Sequence, residues 1–557
     1  MRSGGRLGVL ALSLLAALPA CRHAQGSAAR RFTLSVIGTS DLHGHVDALP
    51  MFGGFVDNLR RTRRQDGGDV LLLDAGDMFQ GTLASNRTEG AVVVSAYAAL
   101  GYAAVAIGNH EFDYGPVGPA ETPRQPGDDP RGALRARAAE APFPFLDANL
   151  IDDATGAHPS WKNVVPATVR EIAGVKIGIV GVTTAGTPLS TLPANFAGLS
   201  VTPLAAAIVG AAADARRRGA TVVIAVAHAG GDCHHFGAPD DLSSCETDQE
   251  IFQVARDLPA GTVDLIVAGH THKAIAHRVN GIPVVEAYAN GRAFSRVDLT
   301  VDRGTGRVVG SRIFPPQDLP PIESLQLVGY EADVVHPDPA VAAAIAPALA
   351  ATAALRDQRL GVDLGEAIPR AQKSESPLGN LIADLMRAAR PDADVALTTA
   401  GAVRTDLPAG PLTYGRLFET LPFDNRFALV RLTADELAGL IERNLSHGGA
   451  VMALSGVRAT ATCAGGGLQV SLARPDGRPI PAGARLTLAV SEYLATGGDK
   501  LFPDSLRGRA QIIDGPPIRD AIAGLLRARR SVPPLHDLYD PARPRLAYPG
   551  KRPVRCD

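Results

Sequence analysis

The apolar and polar positions along this 557-residue chain fall into short runs rich in Val, Ile, Leu and Ala, each closing on a small residue before a polar cluster. FTLSVIGTS leads into Asp41-Leu42-His43, and DVLLLDAG into Asp77. AAVAIG leads into Asn109-His110-Glu111-Phe112-Asp113, VVIAVA into His228, and DLIVAG into His270-Thr271-His272. Runs of this kind read as strands buried on both faces of a parallel sheet. Helix-like stretches separate them at 54–65, 91–100, 132–141, 204–218 and 248–258. That alternation, from about Arg31 to Arg312, predicts an α/β layered sandwich. Glycine-rich breaks at about 115–130 and 230–244 follow two of the polar clusters directly and predict loops that frame a site.

Beyond this region the pattern changes. Residues 315–321 are proline-rich, as linkers are. Asp338-Pro339 then opens an Ala-rich helix with a capping residue and proline in its first turn, and Pro347 predicts a kink. A second α/β segment runs from about Gly361 to Arg530, with helices at 379–390 and 433–445 and a strand at 394–397. A chain of this length is expected to form two domains. The expected organisation is an export segment with a lipidation box at 1–21, a first domain at 31–315, a linker carrying the Ala-rich helix at 316–360, a second domain at 361–530 and a tail at 531–557.

Composition narrows the partners. A formal charge of −2 provides no field to steer the chain to nucleic-acid polymers or anionic membranes. Any phosphate recognition must then be local, by metal ions and a few arginines. Arg2 and Arg6 precede the apolar stretch LGVLALSLLAALPA, which has the shape of a secretory signal. Leu18-Pro19-Ala20-Cys21 resembles the bacterial lipoprotein cleavage box, so the chain is expected in the periplasm or cell envelope, lipid-anchored at Cys21. A plain secreted protein is the alternative. With Cys21 set aside, Cys233, Cys245, Cys463 and Cys556 form an even set in an oxidising compartment. Cys233 and Cys245 flank a loop without helix or strand pattern, and closing it would stabilise the fold by roughly 3 kcal/mol. Cys463 with Cys556 follows by elimination.

Candidate chemistry lies in the polar clusters. Singly, a histidine after a strand is explained by capping or surface exposure, and an aspartate by a helix N-cap. Five strand ends all carrying ligand types are not. In open α/β sheets ligands bind beyond the carboxyl ends of the strands, so these clusters are expected on one rim. Asp, His and Asn side chains suit divalent first-row metals and can hold two if a carboxylate bridges them.

The blocks D-x-H, G-D, G-N-H-E-F-D, H-x-G and G-H-T-H resemble those of calcineurin-like metallophosphoesterases. The longer GNHEFDYG, together with the second half of the chain, resembles the bacterial 5′-nucleotidase / UDP-sugar hydrolase family. The resemblance implies a four-layer α/β/β/α metallophosphoesterase sandwich, followed by a smaller α/β nucleotide-binding domain joined by a helical linker. It implies two divalent ions (Mn, Zn, Co, Fe or Mg) bridged by Asp77, with Asp41, His43 and His272 completing one site and Asn109, His228 and His270 the other. Phosphate release would follow from attack by metal-bound hydroxide. His110 would stabilise the transition state or protonate the leaving oxygen, with Asp113 fixing its tautomer. His234 and His235 match no motif and read as surface residues.

The same resemblance assigns a substrate pocket to the second domain. TTAGAVRTDL places Arg404 near the substrate phosphate or ribose. TLPFDNRF places Phe423 and Asn425, and SEYLATGGDKLF places Tyr493 and Asp499, so that two aromatics would sandwich a base and Asp499 would accept from ribose hydroxyls. The chain departs from the pattern at Thr399, where relatives carry Asn, and at Tyr493, where phenylalanine is usual. The arginine expected before the helix is replaced by Arg370 or Lys373. The implied activity is release of phosphate from 5′-nucleotides, small-molecule substrates. Alternatives on the same scaffold are 2′,3′-cyclic nucleotide or UDP-sugar hydrolysis, and thiosulfate-ester hydrolysis among more distant relatives. An alternative of another class is a non-catalytic nucleoside-binding lipoprotein.

Overall fold

The computed structural model describes residues 30–320, 327–447 and 449–556, so the expected export segment and Cys21 lie outside the described residues. Two sheets pack face to face in the first half. One has eight strands, in the order Val308–Ile313, Ala293–Asp302, Arg31–Thr39, Asp69–Asp74, Ala104–Ala106, Phe145–Leu146 and Val164–Val165, with Gln317–Asp318 paired to the second of these. The other has six, in the order Ala274–Val279, Ile282–Ala287, Leu265–Ala268, Val222–His228, Val175–Thr183 and Ala167–Ile172.

Period-two alternation explains why the strands read as uniformly apolar. Leu34, Val36, Leu71, Leu73, Ile224 and Val226 fill the space between the sheets. Ile37, Leu72 and Val105 face the helices Leu49–Asp66, Ala91–Leu100 and Gly132–Glu140. Val223, Ala225 and Ile266 face Leu204–Arg217 and Glu250–Asp257. A strand covered on both faces has no polar side to show. The result is the helix–sheet–sheet–helix sandwich. Gly38 permits the close approach of the sheets, because a Cβ there would lie 2.5 Å from Val267 Cγ1.

The second half is built on a five-stranded sheet, in the order Met452–Ser455, Val395–Thr399, Arg485–Ser491, Phe427–Thr433 and Ala510–Ile512, with an apolar cluster on each face. The helix Pro339–Arg356 is capped by Asp338, whose Oδ1 accepts from the N–H groups of Ala340 at 2.7 Å and Val341 at 3.2 Å. It continues through Pro347. It packs on the helices of the first half and on Tyr414–Thr420 of the second, burying Val341 and Ile345 in the first core. Cys233 is bonded to Cys245, and Cys463 to Cys556. The second bond fastens a tail whose Leu538, Leu546 and Val554 are buried against the second half.

Candidate active site

The five strand ends do not share one sheet, as a single rim would require. Three belong to the eight-stranded sheet and two to the six-stranded sheet, and the carboxyl edges of the two sheets meet. Register makes the ends level within each sheet: Thr39 pairs with Asp74, Asp74 with Val105, and Ala227 with Ala268. Beyond the first sheet, the two polar turns zip together through backbone. Asp41 N–H donates to Gly76 O at 2.8 Å, His43 N–H to Asp77 O at 3.0 Å and Gly44 N–H to Met78 O at 3.0 Å.

All seven expected ligand residues converge there. Ligand atoms of Asp41, His43 and His272 lie within 4.8 Å of one another, as do those of Asp77, His228 and His270. Asn109 Oδ1 is 3.1 Å from His228 Nε2 and so joins the second group. Asp77 Oδ2 stands between the groups, 3.1 Å from His228 Nε2 and 4.0 Å from His43 Nε2. Five of the seven carry positive φ, namely Asp41 (51°), His43 (47°), Asp77 (56°), His270 (85°) and His272 (59°). Such conformations cost non-glycine residues on the order of 1–2 kcal/mol each and concentrate where function over-determines the backbone.

The donor set fits metal ions. His43 Nδ1 lies 2.7 Å from Gln80 O, and His228 Nδ1 lies 2.8 Å from Ala75 O, so each donates its Nδ1 proton to a carbonyl. The opposite nitrogens then aim lone pairs inward. His43 Nε2 meets His272 Nε2 at 3.0 Å, and His228 Nε2 meets His270 Nδ1 at 3.2 Å. Burial, then the neighbouring Arg404 or another histidine, lowers the pKa of His43 and His272 and brings that of His270 to about 3, so these imidazoles are neutral. At His228 burial is the largest influence and opposes charging, but Asp77, Asp41 and Glu111 together outweigh it and push the pKa up to about 10. The Asp77 charge that favours a proton on this nitrogen favours a metal ion in its place. Cys233, Cys245 and His277 also cluster, but the disulfide consumes both thiols.

His110 adjoins the second group. Its N–H donates to Asp77 Oδ1 at 2.8 Å, and its Nδ1 lies 2.6 Å from Asp113 Oδ2. Burial is the largest influence and disfavours its charge, yet the Asp113 and Asp77 carboxylates together outweigh burial and raise its pKa. From this residue a cavity of about 140 Å³ extends into the second half, lined among others by Asp113, Arg404, Phe423, Asn425, Tyr493 and Asp499. Arg404 Nη2 reaches to 3.2 Å from His43 Nε2, and its guanidinium lies 6.0 Å from the Phe423 ring centre. The Phe423 and His110 ring centres are 5.7 Å apart. Every substrate residue expected from sequence thus borders one space that reaches His110, beside the histidine clusters. Of the two basic residues weighed before the helix, Arg370 supports the Arg404 turn, donating to Val403 O at 3.1 Å. Lys373 is exposed and faces Glu246 at 3.8 Å. His234 is also exposed.

Sequence reading missed the groups that hold the turns. Glu111 is fully buried, and its carboxylate accepts from the N–H groups of Gly108 (2.7 Å), Asp77 (2.9 Å) and Met78 (2.8 Å). Gly108 leaves room for this: a Cβ there would lie 2.2 Å from Asp77 Oδ1. Glu286 does the same for the other sheet, accepting from Gly231 N–H (3.0 Å), Thr271 N–H (3.2 Å) and Thr271 Oγ1 (2.7 Å). Its signal was legible, as a lone charge inside the apolar run IPVVEA. The end of the short helix Thr187–Ser190 and the residues after it also went unnoticed, although Ser190, Thr191 and Leu192 line the cavity.

Comparison with known proteins supplies the family. Residues 34–274 match the family model for calcineurin-like phosphoesterase, and residues 354–504 match that for the 5′-nucleotidase C-terminal domain. The chain belongs to the 5′-nucleotidase family. It is therefore a metallophosphoesterase-family hydrolase, with the two-domain α/β architecture of that family. A 5′-nucleotidase of Vibrio cholerae serotype O1 is 26% identical over 538 residues, covering 88% of this chain and 90% of that protein. Endonuclease YhcR of Bacillus subtilis is 27% identical over 504 residues, covering 86% of this chain but only 38% of that much longer protein. The fold matches that of a 5′-nucleotidase precursor from Thermus thermophilus, with a TM-score of 0.73 at 23% identity, covering 93% of this chain and 99% of that one. The two disulfides suit an exported member of the 5′-nucleotidase family.

Proposed function

We propose that this chain is an exported 5′-nucleotidase, lipid-anchored at Cys21, that releases phosphate from nucleoside 5′-phosphates. In this reading Asp41, His43 and His272 hold one divalent ion, Asn109, His228 and His270 hold a second, and Asp77 is shared. Such a pair of ions supplies Lewis acidity towards phosphoryl oxygens and lowers the pKa of water. Arg404 neutralises the phosphoryl group from the opposite half of the molecule and fixes its orientation. His110, kept protonated by Asp113, donates to the 5′-oxygen as it leaves. Phe423 and Tyr493 hold the base between them with Asn425 at its edge, and Asp499 accepts from the ribose hydroxyls.

One observation carries the proposal. The cavity that begins at His110 and Arg404 ends at Phe423, Tyr493 and Asp499, so chemistry and nucleoside recognition share a single space. The test is phosphate release, with Mn²⁺ or Zn²⁺, from nucleoside 5′-monophosphates set against glycerol phosphate. Adenosine or uridine 5′-monophosphate should be preferred by about 100-fold in kcat/KM, the equivalent of two good contacts. Equal rates on nucleotides and glycerol phosphate would remove the nucleoside pocket from the account.

A further inference from the structure

A second, much smaller chamber borders the His43–His272 pair. It is lined among others by His43, His45, Gln80, His272, Arg404 and Glu419. Of the residues around it only Arg404 also lines the nucleoside cavity, so the guanidinium divides the two spaces. Its volume is about 20 Å³, which admits a single water molecule. Both halves of the protein build it. Gln80 comes from the turn after Asp77, and Glu419 from the helix Tyr414–Thr420.

Two features show that the chamber is polar. Gln80 is only 2% exposed, and both polar atoms of its carboxamide lack a hydrogen-bond partner among the described residues. A buried amide in that state requires water or a ligand group beside it. Its backbone carbonyl accepts from His43 Nδ1 at 2.7 Å, which fixes the backbone from which the side chain springs. Glu419 is half-buried and adds a carboxyl group to the lining.

Given the nucleotidase reading, on which this step rests, one ester oxygen of the bound phosphoryl group leads into the nucleoside cavity. The chamber borders His43, His272 and Arg404, the groups that would meet the remaining oxygens. We infer that the chamber, walled by Gln80 and Glu419, confines the enzyme to phosphoryl groups with one organic substituent. A nucleotide sugar or an open phosphodiester carries a second substituent, which must enter a space sized for one water. A second phosphate also meets the Glu419 carboxylate. Terminal phosphoryl groups of nucleoside mono-, di- and triphosphates carry a single substituent and are not excluded on this ground.

The test compares p-nitrophenyl phosphate with bis(p-nitrophenyl) phosphate, and AMP with UDP-glucose, on the full chain, on Glu419→Ala, on Gln80→Ala and on the double variant. The parent should prefer the singly substituted member of each pair by about 100-fold in kcat/KM. The variants should raise activity on the doubly substituted member by about tenfold while AMP changes by less than about threefold. Glu419→Gln keeps the bulk and removes the charge; it should help UDP-glucose more than the bis ester, and it serves if either alanine variant fails to fold. A parent that cleaves both members equally, or variants that leave the ratios unmoved, overturns the inference. If AMP resists hydrolysis while p-nitrophenyl phosphate is cleaved, the nucleotidase reading falls, and the two nitrophenyl esters still decide the role of the chamber.

Discussion

Glu111→Gln tests whether the site is held from behind. The Glu111 carboxylate receives three backbone N–H groups, one of them from Asp77, whose φ of 56° places it in the left-handed region. In glutamine one oxygen can still accept two of the three, but the amide nitrogen now faces an N–H. One buried donor loses its acceptor, at roughly 1–3 kcal/mol. A destabilisation of about 1–3 kcal/mol follows, on a residue that touches neither ion nor substrate. Asp77 should relax from its strained backbone and withdraw its shared oxygen, weakening metal affinity by about 10–100-fold, as loss of a supporting group typically does. Urea unfolding of the metal-free protein and Mn²⁺ titration calorimetry measure the two effects. A variant with the parent's midpoint and the parent's Mn²⁺ affinity would falsify the idea that Glu111 holds the Asp77 turn.

Three further outcomes follow from other parts of the site. His110→Ala should bind the same amount of metal as the parent and lose about 10²–10⁴-fold in turnover of AMP; a parental rate refutes its role as proton donor. The Tyr493 hydroxyl lies 2.7 Å from Leu189 O and 2.7 Å from Asp499 Oδ1, joining the halves across the cavity. Tyr493→Phe should therefore raise KM by about 2–12-fold, the worth of one hydrogen bond, and an unchanged KM counts against that bridge. Glu121 lines the same cavity and accepts from the Asp424 N–H at 3.0 Å. Burial first, then the Asp424 charge, holds its carboxyl well above the ordinary range. A carboxyl raised in the folded state contributes its stability below the unfolded pKa and loses it as pH rises through the folded value. Glu121→Gln should accordingly raise the melting temperature at pH 8 more than at pH 4, and an equal shift at both contradicts the assignment.

The strands and most ligands were legible in sequence because each ladder strand is covered on both faces and ends in an unmistakable polar cluster. The division of those strands between two sheets was not. Val36 and Ile224 sit in equally apolar runs, and which run pairs with which is decided by contacts far apart in sequence. Glu111 escaped notice for a different reason. Between His110 and Phe112 it reads as one more polar residue of a motif, and only its burial shows that it binds backbone rather than metal. Gln80 was invisible altogether, since nothing in a sequence distinguishes a buried, unpartnered amide from a surface one. In the second half, Phe423 and Tyr493 could be placed only through family resemblance, because an aromatic residue facing a cavity and one facing a core have the same local pattern.

The central claim is that the facing nitrogens of His43 with His272, and of His228 with His270, are the two halves of a dinuclear centre. Loading the protein with Mn²⁺, removing the excess by desalting and measuring metal per chain tests this directly. The account predicts two equivalents in the parent and about one in each of His43→Ala and His228→Ala, since each substitution empties one group of ligands. A parent that retains no metal, or variants that retain as much as the parent, contradicts it.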